Sequence, residues 1–332
     1  MDLFTHVLVA YLLSFVVFGP HAPLYIAAGA LAGGLPDADI LFFPLSRRYP
    51  LWGHHGITHS IFGVSVIAVA GGLLAPLLVG GSGWYYLLAM ELGGLSHVAL
   101  DGFTNFSVPP LAPFSSRSVH LDADRAVNFA TLGMTVVAFV VLLEERNTVP
   151  SPVWVLTAWV LVGVYAGYLA VRGTARIRIG RIGRAAGYSG VIPSGNPLRW
   201  TLIDERLDPQ GESTVRFRRY RLGRGWSGNG AELRVHPAEA TAPAGPVAQA
   251  QEAIDRSYPA AMARSRFLAR SYFFAEVTPS PEAFEVFWYS LEFESMGRSA
   301  GVIARVDRAS GRVETRSTWR RVPLSGSSPV TP

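Results

Sequence analysis

The sequence predicts an all-α polytopic membrane domain of about six segments, followed by a small soluble α+β domain, mostly antiparallel. Three observations predict it. Residues 1–171 are dominated by long apolar stretches and hold 5 Arg against 9 Asp and Glu, whereas residues 172–332 hold 24 Arg against 15 acids. Seven of the eight histidines lie before residue 121. The second half alternates polar and apolar residues in short runs broken by turn signals, the pattern of strands.

The apolar stretches come first in the chain. A membrane-spanning helix needs ~20 mostly apolar residues. Runs at 60–79, 83–100, 126–143 and 152–171 fit that length. Two shorter runs, 3–18 and 22–35, flank Gly19-Pro20. They form either two tilted helices or one re-entrant hairpin, and both options return the chain to the same side. Asp2 and His6 stand where a cleavable signal peptide would carry basic residues, so the first helix is expected to be retained.

Arginine positions set the expected orientation. With the N-terminus in the cytoplasm, the inner loops carry Arg47, Arg48, Arg117 and Arg125, and the tail opens with Arg172, Arg176, Arg178, Arg181 and Arg184. The outer loop at 144–151 has only Arg146, offset by Glu144 and Glu145. The expected location is the inner (cytoplasmic) membrane, multi-pass, with both termini cytoplasmic.

Composition narrows the chemistry. There is no cysteine, which excludes disulfides and thiolate zinc sites. All 29 basic residues are arginine, which excludes a Schiff-base or P-loop lysine.

Several ionisable residues share the expected cytoplasmic face. His6 begins the first segment. Asp37 and Asp39 lie in Leu35-Pro36-Asp37-Ala38-Asp39, and His54, His55 and His59 lie in His54-His55-Gly56-Ile57-Thr58-His59-Ser60. His97 and Asp101 end the fourth segment, one helical turn apart, and His55 and His59 have the same spacing. Asp37 and Asp39 can point the same way if extended. Imidazole and carboxylate donors suit a divalent metal, zinc first with manganese or iron as options, and the donor number allows more than one ion. Such centres activate water. Each residue alone has a plainer reading: solvated interface groups, a turn after Pro36, a cap from Thr58 or Ser60. Their coincidence on one side favours the metal site.

These motifs, in order, resemble the membrane-bound metal-dependent hydrolases whose first-described bacterial member is under LexA control. Thr5-His6, the Leu-Pro-Asp-Ala-Asp and His-His-Gly-Ile-Thr-His-Ser runs, Ser-His-Val-Ala-Leu-Asp at 96–101, Asp101-Gly102-Phe103-Thr104 and Pro110-Leu111-Ala112-Pro113-Phe114 carry the likeness over roughly residues 1–170. The family pattern has arginine where this chain has His55, so the match implies His54 and His59 as site histidines and leaves His55 as a phosphate contact or an extra ligand. The His-x-x-x-Asp step is also similar, more distantly, to zinc-dependent phospholipase C, which implies phosphoester chemistry. The implied metal ligands are His6, Asp37, Asp39, His54, His59, His97 and Asp101, with Asp37, Asp39, His59 and Asp101 catalytic. The expected substrate is a lipid or lipid-linked phosphoester. The alternative is a non-enzymatic membrane scaffold or metal-binding regulator whose cytoplasmic domain binds partners. A transporter is disfavoured because the segment middles hold few polar residues beyond Glu91 and Asn128.

Glu91 is expected to bond to a neighbouring helix and Asn128 to join two helices. His120, beside Asp122 and Asp124, is a secondary candidate. His21 and His236 fall outside the cluster. Gly29, Gly33, Gly34, Gly93 and Gly94 permit close helix approach.

The remaining chain divides, by expectation, into a basic interfacial connector at 172–196, a cytoplasmic α+β domain at 197–322 and a disordered tail at 323–332. Strands are expected at 198–203, 215–222, 231–235, 272–277, 283–293, 300–306 and 312–319, a linker at 238–250 and a helix around 247–269. Asp307-Arg308-Ala309-Ser310-Gly311 reads as a hairpin turn. The connector's arginines could meet anionic lipid headgroups, and the Arg216–Arg224 run reads as an exposed strand face, solvated or at the membrane surface. The bilayer is the expected partner, and no nucleic acid is expected because no recognition motif accompanies the arginines.

Overall fold

The computed structural model describes residues 1–42, 55–115, 117–126, 128–148, 151–207, 213–234, 273–295 and 298–321. The chain divides into two units, Met1–Ala175 and Arg176–Pro332.

The first unit is helical: α1 (Leu3–Phe18), α2 (Pro23–Gly34), α3 (Ile61–Val79), α4 (Gly83–Phe103), α5 (Phe129–Thr148) and the start of α6 (Ser151–Ala185). Local sequence explains the ends. Asp2 caps α1 by accepting from the Thr5 amide at 3.0 Å and the Thr5 hydroxyl at 2.7 Å. Pro23 opens α2, where its missing N–H costs nothing. Ser60 caps α3, accepting from the Gly63 amide at 3.0 Å. Gly80 and Gly81, with φ of 76° and 89°, turn α3 into α4.

Two of these helices, α3 and the Pro152–Ala185 part of α6, are long and apolar enough to cross a bilayer. Among the described residues, the expectation of about six spanning segments finds six helices, but this property in only two of them. At ~1.5 Å rise per residue, the 16-residue α1 and the 12-residue α2 fall short of the ~30 Å hydrocarbon core. In α4 the length suffices, but Glu91, His97 and Asp101 dilute its apolarity. The apolar part of α5 stops at Glu144.

α4 packs against α1, α2 and α3. The approach to α2 is close enough that a Cβ on Gly93 would meet the Gly29 carbonyl oxygen at 2.1 Å. A second core, formed by Leu8, Leu12, Phe15, Ile26, Ala138, Leu142, Ala158 and Tyr165, joins α1 and α2 to α5 and α6. Outward, Leu73, Leu77 and Leu78 of α3 are 69–81% exposed. So apolar an outer surface suits a lipid environment.

Two side-chain expectations inside this unit hold geometrically. Glu91 of α4 accepts from the Ser65 hydroxyl of α3 at 2.8 Å. Asn128 donates to Asp124 at 2.7 Å and to Tyr168 of α6 at 2.8 Å. Arg172 differs from its reading as the first headgroup-facing residue. It is buried and pairs with the buried Asp124 at 3.0 Å. Tyr168 donates to the same carboxylate at 2.7 Å.

The second unit opens with the end of α6, so the expected connector at 172–196 is helical as far as Ala185 and then holds β1 (Gly190–Pro193). Arginine is a good helix former and carries the helix past the last apolar turn. β1 pairs with β2 (Arg199–Leu207), then β3 (Ser213–Arg221) and β4 (Gly225–Arg234), in one antiparallel sheet of that order. Trp200, Leu202 and Phe217 are its buried centre. A second antiparallel sheet runs β5 (Phe273–Pro279), β6 (Ala283–Ser295), β7 (Arg298–Asp307) and β8 (Val313–Arg321). The expected turn closes β7 onto β8: Asp307 accepts from the Ser310 amide at 2.7 Å, and Gly311 has φ 66°. The expected linker, the helix around 247–269 and the tail at 323–332 lie outside the described residues.

Candidate metal centre

The site is built where α1, α4 and two short 3-10 turns, Pro36–Phe42 and Ile57–His59, come together. One donor atom from each of Asp37, His59, His97 and Asp101 lies within 4.8 Å of the others. These four form a His/Asp group of possible metal ligands.

His97 and Asp101 project from one face of α4, with His97 Nε2 3.2 Å from Asp101 Oδ2. His97 Nδ1 lies 2.8 Å from the Gly33 carbonyl of α2. A carbonyl only accepts, so Nδ1 carries a proton and Nε2 is the nitrogen turned to the carboxylates. That Nε2 and Asp101 Oδ2 are both buried without a hydrogen-bond partner. Leaving such atoms unsatisfied is costly unless something else binds them.

His59 faces the same point. Its Nε2 is 3.5 Å from Asp37 Oδ1 and 3.6 Å from Asp101 Oδ2, while His97 Nε2 is 3.8 Å from Asp37 Oδ1. Four donors about 2.0–2.1 Å from one ion would be about 3.3 Å apart at tetrahedral angles. The four imidazole–carboxylate edges, 3.2–3.8 Å, approach that figure, and all four donors lie within 4.8 Å of one another. The residues present therefore fit one divalent cation.

Asp39 does not join this group. The expectation of an extended segment with Asp37 and Asp39 on one side fails, because the chain coils into a 3-10 turn there. At ~3 residues per turn, two positions apart diverge widely. Asp39 instead sits behind His59, 3.2 Å from Nδ1, and accepts from the Thr58 hydroxyl at 2.5 Å. A carboxylate behind an imidazole orients the ring and presents the other nitrogen.

The charges respond to one another. For His59, burial opposes the imidazolium, but hydrogen bonds to Asp37 and Asp39 and the nearby carboxylate charges lift its pKa to about 9. For Asp37, burial works upward, but His59 and the charges of His97 and His6 hold its pKa down at about 2. A cation entering the group must therefore displace the His59 proton.

His6 is fully buried, and its ring stacks on His97 at 3.8 Å. Its Nε2 lies 3.0 Å from Asp101 Oδ1, the oxygen turned away from the four-donor group. The Met1 amino group contacts both His6 Nε2 and Asp101 Oδ1, a neighbour that no side-chain pattern could signal.

His55 stacks on His59 at 4.3 Å, donates from Nδ1 to the Ser107 carbonyl at 3.3 Å and keeps Nε2 3.7 Å from Asp101 Oδ2. It reaches this place through a turn with φ 61°, not through a helical i, i+4 step to His59. His54 lies outside the described residues. His120 pairs with Asp122 at 3.1 Å and is not in the four-donor group.

A family model described as YdjM inner membrane protein matches residues 1–173. No curated protein and no solved structure matches the chain. The match covers all six apolar stretches and every residue of the His/Asp group. On that basis the chain belongs to the YdjM inner membrane protein family, and its place is the inner membrane.

Proposed function

We propose that this chain is an integral-membrane metal-dependent hydrolase acting on a phosphoester, lipid or lipid-linked. One observation carries the reading: two carboxylate oxygens and two imidazole nitrogens, from three separate stretches, stand at the mutual spacing of a cation's ligand shell. Two nitrogens and two oxygens suit zinc best, with manganese or iron(II) as alternatives.

A divalent cation in such a centre supplies Lewis acidity and lowers the pKa of water. The protein's own contribution is orientation. Gly33 and Asp39 hold the rings of His97 and His59 so that each presents Nε2. His6 holds the far oxygen of Asp101. Asp37 is 19% exposed while His59, His97 and Asp101 are at 0–2%, so the centre opens on the Asp37 side. A catalytic ion here needs a further position for water beside the four donors, and the Asp37 side is where water can enter. His55, layered on His59, is placed to contact a phosphoryl oxygen where the related pattern has arginine.

The six helices are proposed to lie in the membrane as a six-segment bundle, with both termini cytoplasmic. The distribution of arginines between alternate loops supports that orientation.

The test is hydrolysis of phosphatidic acid and lipid diphosphates by the full chain in detergent, with and without chelator. The expected result is turnover that chelation abolishes and zinc or manganese restores. Metal binding without turnover on any phosphoester would assign the centre a regulatory role.

A further inference from the structure

We propose that the turn at 109–115 is seated in the lipid interface, as an apolar anchor on the side of the bilayer where the His/Asp centre lies. Leu111 and Phe114 at its tip are 56% and 80% exposed. The turn is firmly built: Ala112 donates to the Pro109 carbonyl at 3.1 Å, Ser115 to the Leu111 carbonyl at 3.0 Å, and Ala112 itself is 1% exposed. The two large apolar side chains are thus held outward.

What covers them follows from α3. Phe62, Val66, Val69, Leu73 and Leu77 are exposed at helical spacing along one row of this span. The Phe114 ring lies edge-to-face on Phe62 at 5.4 Å, and the Ile61 amide donates to the Pro110 carbonyl at 3.0 Å. The tip of the turn therefore extends the lipid-facing row of α3 past its first residue. Val119 and Leu121, on the return of the same loop, are also exposed, with Arg117 between them and the tip. Apolar side chains beside an arginine suit the headgroup boundary, where the guanidinium stays hydrated.

The base of the same loop reaches the His/Asp centre. The Phe106 ring meets His55 edge-on at 5.5 Å, and the Ser107 carbonyl holds its Nδ1. Anchoring this loop fixes the centre at the membrane surface. An amphiphile could then offer its head to the centre while its chains stay among the lipid tails; this route, unlike the anchoring, rests on the hydrolase reading.

The absence of cysteine makes the test clean. Phe114→Cys and Leu111→Cys, each spin-labelled in the full chain, are reconstituted in phosphatidylethanolamine–phosphatidylglycerol vesicles. Accessibility to oxygen and to a water-soluble nickel complex is compared with Leu77→Cys on α3 and Ala309→Cys in the β7–β8 turn. The expected result at both 111 and 114 is high oxygen and low nickel access, at a depth about 5–10 Å below the headgroups. Nickel access equal to that at 309 would overturn the proposal. So would shielding from both reagents, since a protein or a second copy would then cover the turn. Leu111→Cys keeps Phe114 and its contact with Phe62, so misfolding of one variant does not decide the outcome. These depths do not depend on turnover, so a failed hydrolase reading leaves them as they are.

Discussion

Replacing Gly93 with alanine should weaken metal binding at the proposed His/Asp centre, which the new methyl never touches. The Cβ would lie 2.1 Å from the Gly29 carbonyl oxygen, 3.0 Å from its carbon and 3.1 Å from the Gly33 nitrogen, all backbone atoms of α2. Non-bonded heavy atoms settle at roughly 3.5 Å, so α2 and α4 must part by about 1 Å or more. The hydrogen bond from His97 Nδ1 to the Gly33 carbonyl bridges these same helices at 2.8 Å, and a shift of ~1 Å takes it out of range. Loss of such an orienting partner costs about 10–100-fold in metal affinity. Overpacking costs about 1–3 kcal/mol, offset in part by the roughly 1 kcal/mol that alanine gains over glycine in a helix. Gly133→Ala in α5 is the control, because nothing lies within 4 Å of its Cβ position. Zinc titration calorimetry and thermal unfolding in detergent read both effects. Gly93→Ala should show weaker binding and a lower Tm, and Gly133→Ala neither. Affinity within twofold of the parent, with an unchanged Tm, would refute the coupling of helix spacing to ligand orientation.

Three further outcomes are expected. Asp39→Asn should weaken zinc affinity by about 10–100-fold without abolishing binding, because Asp39 orients His59 from behind; complete loss in the same titration would make it a ligand. Zinc affinity should rise with pH, by up to about tenfold per unit, and level off as His59 loses its proton near pH 9; calorimetry at several pH values would show it, and a flat profile from pH 6 to 9 would count against displacement of that proton. Arg172→Met strands the buried Asp124 carboxylate, which costs about 3–5 kcal/mol for a buried pair; denaturant titration should show the loss, and an unchanged midpoint would mean that Tyr168 and Asn128 suffice.

Much of the helical unit was legible because apolar length is a strong signal, as the 60–79 run and α3 show. His97 and Asp101 were legible as a pair because a helix fixes the relation between positions four apart. The relation between Asp37 and Asp39 was not, since it depends on whether three residues are extended or coiled. His55 and His59 have helical spacing but meet by stacking across an irregular turn. Arg172 misled because charge alone does not reveal that Asp124, 48 positions earlier, awaits it in the interior. β1 was missed because a four-residue strand, buried throughout and ending in proline, carries no alternation. The first half of β4 was missed too, because Gly225-Trp226-Ser227-Gly228-Asn229-Gly230 carries no apolar alternation; the other strands came within a few residues of their observed ends.

The account stands on a cation held by Asp37, His59, His97 and Asp101. The most direct measurement is elemental analysis of the detergent-purified full chain after dialysis, alongside His97→Ala and Asp101→Asn of matched fold. The account predicts a fixed ratio of at least one divalent ion per parent chain and none in either variant. A metal-free parent chain, or parental metal content in both variants, would contradict it.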